Sequence, residues 1–377
     1  MLRCKIAPDG PATQDARFRT IQIRSNPEPS LVTAPAIRGR VTLTDIADAC
    51  DLSRATVSLV LRGSPLVNAQ TRARVEAELK RQGYVYHRGA ANLRRKVSST
   101  VALVINDLSN PFFAEFAAGV DEALGAAGYV TLLGSTGESS ERQQAVLTSL
   151  LEHDPAGIIL SPAEGSDAAR LRPLLASRTP MLVFNRTLGD EWDYLALDNA
   201  HGARLATEHL LAQGHRRIAF FGGHGESSSC SERRKGWNAA LADAGIAVEP
   251  QWIVECAPTR LEAARQTGAL FVRDPAPTAA VCYNDAVALG LIAGLSTRGR
   301  RAGHDFAVTG FDDIPEASVS APPLTTIAVD PRARGRQAAE LILQRLRDPS
   351  MPPATTIAPV RLHVRASSQF TLHGDAA

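Results

Sequence analysis

Val41-Thr-Leu-Thr-Asp-Ile-Ala-Asp-Ala-Cys-Asp-Leu-Ser-Arg-Ala-Thr-Val-Ser-Leu-Val-Leu-Arg-Gly63 is the stretch on which the reading of this chain turns. Thr42 can cap a helix whose third position, Asp45, returns a hydrogen bond to the cap, and Leu43, Ile46 and Ala47 then share an inward face. Cys50-Asp51 interrupts that helix. Ser53 is a good cap for a second helix, Arg54 to Leu61, with Val57, Val60 and Leu61 available to a core. Two short helices across a tight turn make a helix-turn-helix. Asn68 caps a third helix carrying Val75 and Leu79, and Gly83 stands where a left-handed C-terminal residue is wanted. A three-helix head over residues 40–86 follows.

Charge agrees with a polyanionic partner. The 377 residues carry a formal net charge of only +2. Between Val41 and Lys96, however, Arg54, Arg62, Arg72, Arg74, Lys80, Arg81, Arg88, Arg94, Arg95 and Lys96 face only Asp45, Asp48, Asp51, Glu76 and Glu78. A solvated basic face would read the same way, so charge alone does not decide. With 44% hydrophobic and 21% charged residues the composition is that of an ordinary globular protein. No run approaches the roughly 18 apolar residues of a membrane span. The first 30 residues also lack the apolar core of a signal peptide. A cytoplasmic location and no membrane partner are expected. Cys4, Cys50, Cys230, Cys256 and Cys282 are odd in number and lack metal spacing, so reduced thiols, no metal site and no cofactor are expected. Residues 1–39, broken by Pro8, Pro11, Pro27, Pro29 and Pro35, read as a disordered extension. One explanation is a misassigned start, with the native one near Val41.

Beyond Ser98 the pattern changes to apolar runs separated by amphipathic segments. The runs are Val101–Ile105, Tyr129–Leu133, Gly157–Leu160, Met181–Phe184, Arg217–Phe221, Ala280–Tyr283 and Phe306–Gly310; Phe113–Ala126 and Asn199–Gln213 are examples of the segments between them. Such alternation is the mark of an α/β fold with parallel sheets covered on both faces. About 270 residues exceed one sheet comfortably, so two lobes are expected.

The opening stretch resembles the N-terminus of the LacI/GalR family, roughly T-x-x-D-V-A-x-x-A-G-V-S-x-x-T-V-S-x-V-L-N. The likeness continues in family order through Thr71-Arg72, Gly83-Tyr84, Ala91-Asn92-Leu93-Arg94, Asn106 to Phe113, Asp198-Asn199, His209-Leu210, Gly214-His215, Asn284-Asp285, Gly310-Phe-Asp-Asp313 and Pro323-Leu-Thr-Thr326. It implies an all-α, lambda-repressor-like helix-turn-helix head. A hinge helix over 87–97 would join it to a two-lobed, doubly wound domain over 98–372, like the type I periplasmic binding proteins. The N-lobe would take about 98–196 and 327–356, the C-lobe about 197–326 and 357–372.

The resemblance implies a sequence-specific transcriptional regulator, a repressor, on double-stranded operator DNA. Contacts would come from Thr42, Ser53, Arg54, Ala55, Thr56, Ser58, Leu59, Asn68 and Tyr84 in the head, and from Asn92, Leu93 and Arg94 in the hinge. Base reading falls mainly on Arg54 and Ala55. Thr56 and Ser58 either touch phosphate or merely support the helix. Two departures stand out. Asp51 replaces the family's usual turn glycine, a position aspartate tolerates better than most residues. Leu59 replaces an arginine that in many members pairs with guanine, and offers only apolar contact, for instance to a thymine methyl. Leu93 corresponds to the family's minor-groove wedge. A hinge this short is marginal as an isolated helix and would order when two chains pair on DNA.

In the second domain the resemblance puts a small-molecule effector between the lobes, at the carboxyl ends of the strands. Asn110, Phe112, Phe113, Asn185, Arg186, Arg233, Asn284 and Asp312 match family ligand positions. Carboxylate, amide and guanidinium groups beside an aromatic wall suit a polyhydroxylated ring, so a sugar or sugar derivative comes first. Two arginines keep sugar acids and purines open, and Asp312 or Arg233 could instead form an internal salt bridge. No nucleophile, metal cluster or phosphate loop accompanies the carboxylates, so the chain is not read as an enzyme. A solute-binding protein for transport would share the fold but not the head. No heptad tail follows Val360–Ser368, which favours a homodimer over a tetramer. The direction of effector control depends on which lobe arrangement the ligand prefers.

Overall fold

Thr42 Oγ1 accepts from the Asp45 N–H while the Asp45 carboxylate accepts from the Thr42 N–H at 2.7 Å, a reciprocal cap that starts α1 (Leu43–Ala49). In this computed structural model residues 41–61, 63–84, 98–175, 179–272 and 274–369 are described. After α1, Asp51 takes the left-handed conformation (φ 48°) that the turn demands. Ser53 then caps α2 (Arg54–Leu61) through the Thr56 N–H at 3.1 Å. Asn68 Oδ1 caps α3 (Ala69–Gln82), which ends on left-handed Gly83. Ile46, Ala47, Cys50, Val57, Val60 and Val75 are buried together, with Leu43, Leu61, Leu79 and Tyr84 packed around them. The three helices thus close one small core within the unit spanning residues 1–87.

The unit spanning 88–377 alternates strands and helices. In chain order these are β1 (Thr100–Ile105), α4 (Pro111–Ala126), β2 (Val130–Ser135), α5 (Ser140–Leu151), β3 (Gly157–Leu160), α6 (Ala168–Leu175), β4 (Met181–Phe184), β5 (Asp193–Leu197) and α7 (Asn199–Ala212). They continue as β6 (Ile218–Phe221), α8 (Ser228–Asp243), β7 (Ile253–Val254), α9 (Arg260–Gln266), β8 (Ala279–Cys282), α10 (Asp285–Ser296), β9 (Ala307–Asp312) and α11 (Pro315–Val319). β10 (Thr325–Ala328), α12 (Pro331–Arg347), β11 (Thr355–Ala358) and β12 (Arg361–His363) complete the unit.

The strands form two six-stranded sheets, ordered β11-β5-β4-β3-β1-β2 and β12-β10-β9-β8-β6-β7. Every pairing is parallel except that of β10 with β12. Interior strands such as β3, β4, β6 and β8 are buried throughout, which is why they read as unbroken apolar runs. The chain passes between the sheets after β5, β10 and β11. Because β10 pairs with β9 through Ala328 and β11 pairs with β5 through Ala358, the later crossings follow those residues.

On the first lobe, α4 and α12 approach so closely that a Cβ on Gly119 would stand 2.0 Å from the Arg332 carbonyl oxygen, and one on Gly335 2.1 Å from that of Phe116. The reciprocal glycines set this helix spacing. Among the described residues no helix is long and apolar enough to cross a membrane. Cys50, Cys230, Cys256 and Cys282 are buried free thiols.

Candidate functional site

In the head, burial of Val57 and Val60 turns the opposite side of α2 outward. Arg54 and Ala55 are exposed there, and Thr56, Ser58 and Leu59 half-buried. That face, opening with an arginine at a helix N-terminus, has the shape and charge to enter a groove of DNA. Other expected contacts also have local duties. Thr42, Ser53 and Asn68 cap helices, Ser53 Oγ lies 2.9 Å from Thr56 Oγ1, and Tyr84 packs on the head core. Asn92, Leu93 and Arg94, the expected hinge contacts, lie outside the described residues, as does the 1–39 extension.

The second unit holds a cavity of about 350 Å³ between its lobes, lined by all eight expected effector residues. Asn110 caps α4 through the Phe112 N–H at 3.1 Å, which carries Phe112 and Phe113 to the cavity. Both phenylalanines are buried, and Phe112 stacks at 6.0 Å on Phe184, itself stacked at 3.9 Å on Phe116. The aromatic wall is therefore the exposed edge of a core stack. Asn185, left-handed at φ 65°, and Arg186 follow β4.

On the facing lobe Arg233 is clamped. Its Nε donates to Asn199 Oδ1 at 2.9 Å and its Nη1 to the Tyr283 carbonyl. The guanidinium carbon sits 3.7 Å from the centre of the Phe311 ring and 4.8 Å from that of Tyr283. The remaining nitrogen, Nη2, faces Asp312 Oδ1 at 3.9 Å. This is too long for a direct hydrogen bond and wide enough for a ligand oxygen to join both groups. Asn284 spends Oδ1 capping α10 through the Val287 N–H, and its Nδ2 has no protein acceptor among the described residues.

Asp312 and Asp313 both have positive φ, 124° and 56°, a strained backbone of the kind that persists only where surroundings over-determine it. Asp285 supplies that constraint. Its fully buried carboxylate accepts from the Ile314 N–H at 2.9 Å and from the Thr326 hydroxyl, tying the loop after β9 to α10 and β10. Burial, then the neighbouring Asp312 charge, pushes the Asp285 carboxyl well above the usual carboxylate range. Burial likewise raises Asp312 to about 7, against the opposing pull of Arg233.

Sequence reasoning missed Asp107, Glu138, Glu164, His224, Thr259 and Tyr283, which also line the cavity. Glu138 follows β2, Glu164 follows β3, His224 follows β6 and Tyr283 follows β8, so the rule of looking just past each strand, applied to all of them, would have found these four.

Residues 42–86 match the family described as "Bacterial regulatory proteins, lacI family", and residues 98–366 match "Periplasmic binding proteins and sugar binding domain of LacI family". The chain belongs to the LacI family. It is a DNA-binding transcriptional regulator with a small-molecule-sensing domain, as family members are, and not an enzyme. Among curated relatives of this LacI-family chain, the maltose regulon regulatory protein MalI of Escherichia coli is 32% identical over 333 residues, 86% of this chain and 97% of the relative. The HTH-type transcriptional repressor PurR of Photobacterium profundum is 34% identical over 314 residues, 81% of this chain and 92% of its own. A lac repressor dimer bound to operator and the anti-inducer ONPF superposes with a TM-score of 0.78 at 27% identity, covering 87% of this chain and 99% of its own. A complex of the regulator CelR with cellobiose gives 0.66 at 29% identity, covering 87% of this chain and 100% of its own.

Proposed function

We propose that this regulator is a cytoplasmic repressor that binds a pseudo-palindromic operator as a homodimer and senses a sugar or sugar derivative in the cleft between its lobes. Arg54 and Ala55 read bases, Leu59 meets an apolar base edge, and Thr56 and Ser58 lie against phosphates. Tyr84 and the capping residues Thr42, Ser53 and Asn68 border the same surface. Asn92, Leu93 and Arg94 supply further DNA contacts, with Leu93 at the minor groove. Ligand closure of the lobes changes the spacing of the two hinges.

The observation that carries the effector reading is the gap of 3.9 Å between Arg233 Nη2 and Asp312 Oδ1, beside the free Asn284 amide and the Phe112–Phe113 wall. A hydroxyl can accept from the guanidinium and donate to the carboxylate at once, and a polyol offers several. The cellobiose-bound neighbour supports a saccharide in a cleft of this kind.

The test is a thermal-shift screen of sugars, sugar acids and nucleobases on the intact protein, paired with gel shifts on an operator selected from random DNA. A sugar that raises the melting temperature should also change operator affinity. Asp312→Ala should remove both responses while operator binding persists; loss of operator binding by that variant would show Asp312 to be structural instead.

A further inference from the structure

We propose that Glu138 makes this cleft reject anionic effectors, so that the molecule sensed carries no negative charge; the inference rests on the polyol reading above. Two arginines on a cleft wall ordinarily invite a carboxylate or phosphate. Here neither guanidinium is available to one.

Arg186 is held in a fork by Glu138, Nη1 donating to Oε2 at 2.6 Å and Nη2 to Oε1 at 3.0 Å, and Nη1 also donates to the Pro162 carbonyl at 3.1 Å. Its Nε has no acceptor among the described residues and is buried. Glu138 is itself fixed. Gly137 and Glu138 are both left-handed, φ 60° and 63°, which aims the side chain inward, and its Oε2 also accepts from Asn106 Nδ2 at 3.0 Å and the Glu164 N–H at 3.3 Å. A non-glycine residue kept in that conformation by so many partners is a constraint the fold maintains. Nη2 keeps one further proton, directed at the Tyr283 hydroxyl, so an anion could reach Arg186 only by displacing that hydroxyl or the carboxylate bound bidentately beside it.

Arg233 is spent on Asn199, the Tyr283 carbonyl and two aromatic faces, and its last nitrogen looks at Asp312. Asp107, Glu138, Glu164 and Asp312 line the cavity against only Arg186 and Arg233 as permanent cations; even with burial favouring the neutral forms of Asp312 and Glu164, Glu138 and Asp107 match the two arginines, and any ionisation of the other two carboxyls adds a negative excess. An anionic ligand meets this excess at close range and low dielectric, whereas hydroxyls can donate to the same carboxylates. The specificity lies in the residue that captures Arg186.

The experiment is isothermal titration of the full chain with matched sets: D-glucose, D-glucuronate and D-glucose 6-phosphate, and the corresponding neutral, acid and phosphorylated forms of D-galactose, D-ribose and cellobiose. In the set that binds, the neutral member should lead its acid and phosphate by more than about tenfold. Glu138→Gln, which releases Arg186, should shrink or reverse that ratio. Should Glu138→Gln not melt cooperatively, Glu138→Asp serves, since aspartate tolerates the left-handed backbone but is one methylene too short to hold both Arg186 nitrogens; the ratio should fall in the same direction, by less. Preference for an acid or phosphate in the wild-type protein would overturn the proposal alone. An unchanged ratio in the folded variant would overturn the role of Glu138. Binding by no set would overturn the polyol reading and this inference with it.

Discussion

Replacing Asp312 by asparagine should stabilise the ligand-free protein while abolishing its response to effector, and the gain should grow with pH. The carboxyl is buried at 3% exposure, and burial lifts it from the ordinary 3.8 to about 7. Between those values the folded chain holds a proton that the unfolded chain has lost, so stability falls as pH rises from about 4 to 7 and levels off above. Above pH 7 the cost of keeping Asp312 ionised in the fold is about 4 kcal/mol by linkage. Less than half of that is already felt at pH 5. Asparagine retains an acceptor for Arg233 and has no charge to bury, so Asp312→Asn should gain about 2–3 kcal/mol between pH 5 and pH 8 relative to wild type. For a domain of this size that is about 5–10 °C in melting temperature. Parallel melts of both proteins at several pH values without ligand provide the measurement. A gain equal at pH 5 and pH 8, or a loss at both, would refute the reasoning, because the charge would then not be what strains the site. The expected pattern is that of a binding residue held at a cost to stability.

Three further outcomes are expected. Thr42→Ala removes one half of the reciprocal cap on α1, and the head should lose about 0.5–2 kcal/mol in its unfolding transition, measured by hydrogen exchange of the α1 amides; protection equal to wild type would count against the cap. Leu59→Arg should shift operator preference toward guanine at one position by about 1–3 kcal/mol, read from binding to single-base operator variants, and an unchanged profile would place Leu59 away from the bases. Gly335→Ala drives a methyl to 2.1 Å from the Phe116 carbonyl oxygen and should destabilise the sensing domain by about 1–3 kcal/mol in urea melts, although alanine is the better helix former.

What could be read ahead of the structure follows from how local each signal is. The head was legible because a cap, a turn and an apolar face are decided within a few residues; Thr42 with Asp45 and Asp51 at φ 48° behave as their chemistry requires. The buried strands β1, β3, β4, β6, β8 and β9 were legible as apolar runs. β5, β7, β10, β11 and β12 were not, and the sequences of β10 and β11 show why. Both read Thr-Thr-Ile-Ala, yet β10 is wholly buried between β9 and β12 while β11 is a half-exposed edge beside β5. No property of the tetrapeptide distinguishes the two, since the difference lies in which strands stand beside them. The cleft divides in the same way. Motifs placed Arg186, Arg233 and Asp312 at its wall, but the availability of the two arginines to a ligand depends on partners 48, 34 and 50 residues away in the chain, in the bonds Arg186–Glu138, Arg233–Asn199 and Arg233–Tyr283. An arginine met in sequence is a free cation, and the same arginine held by Glu138 is half of a neutral pair. Hence two arginines that left sugar acids open become, once folded, part of a wall that favours uncharged hydroxyls.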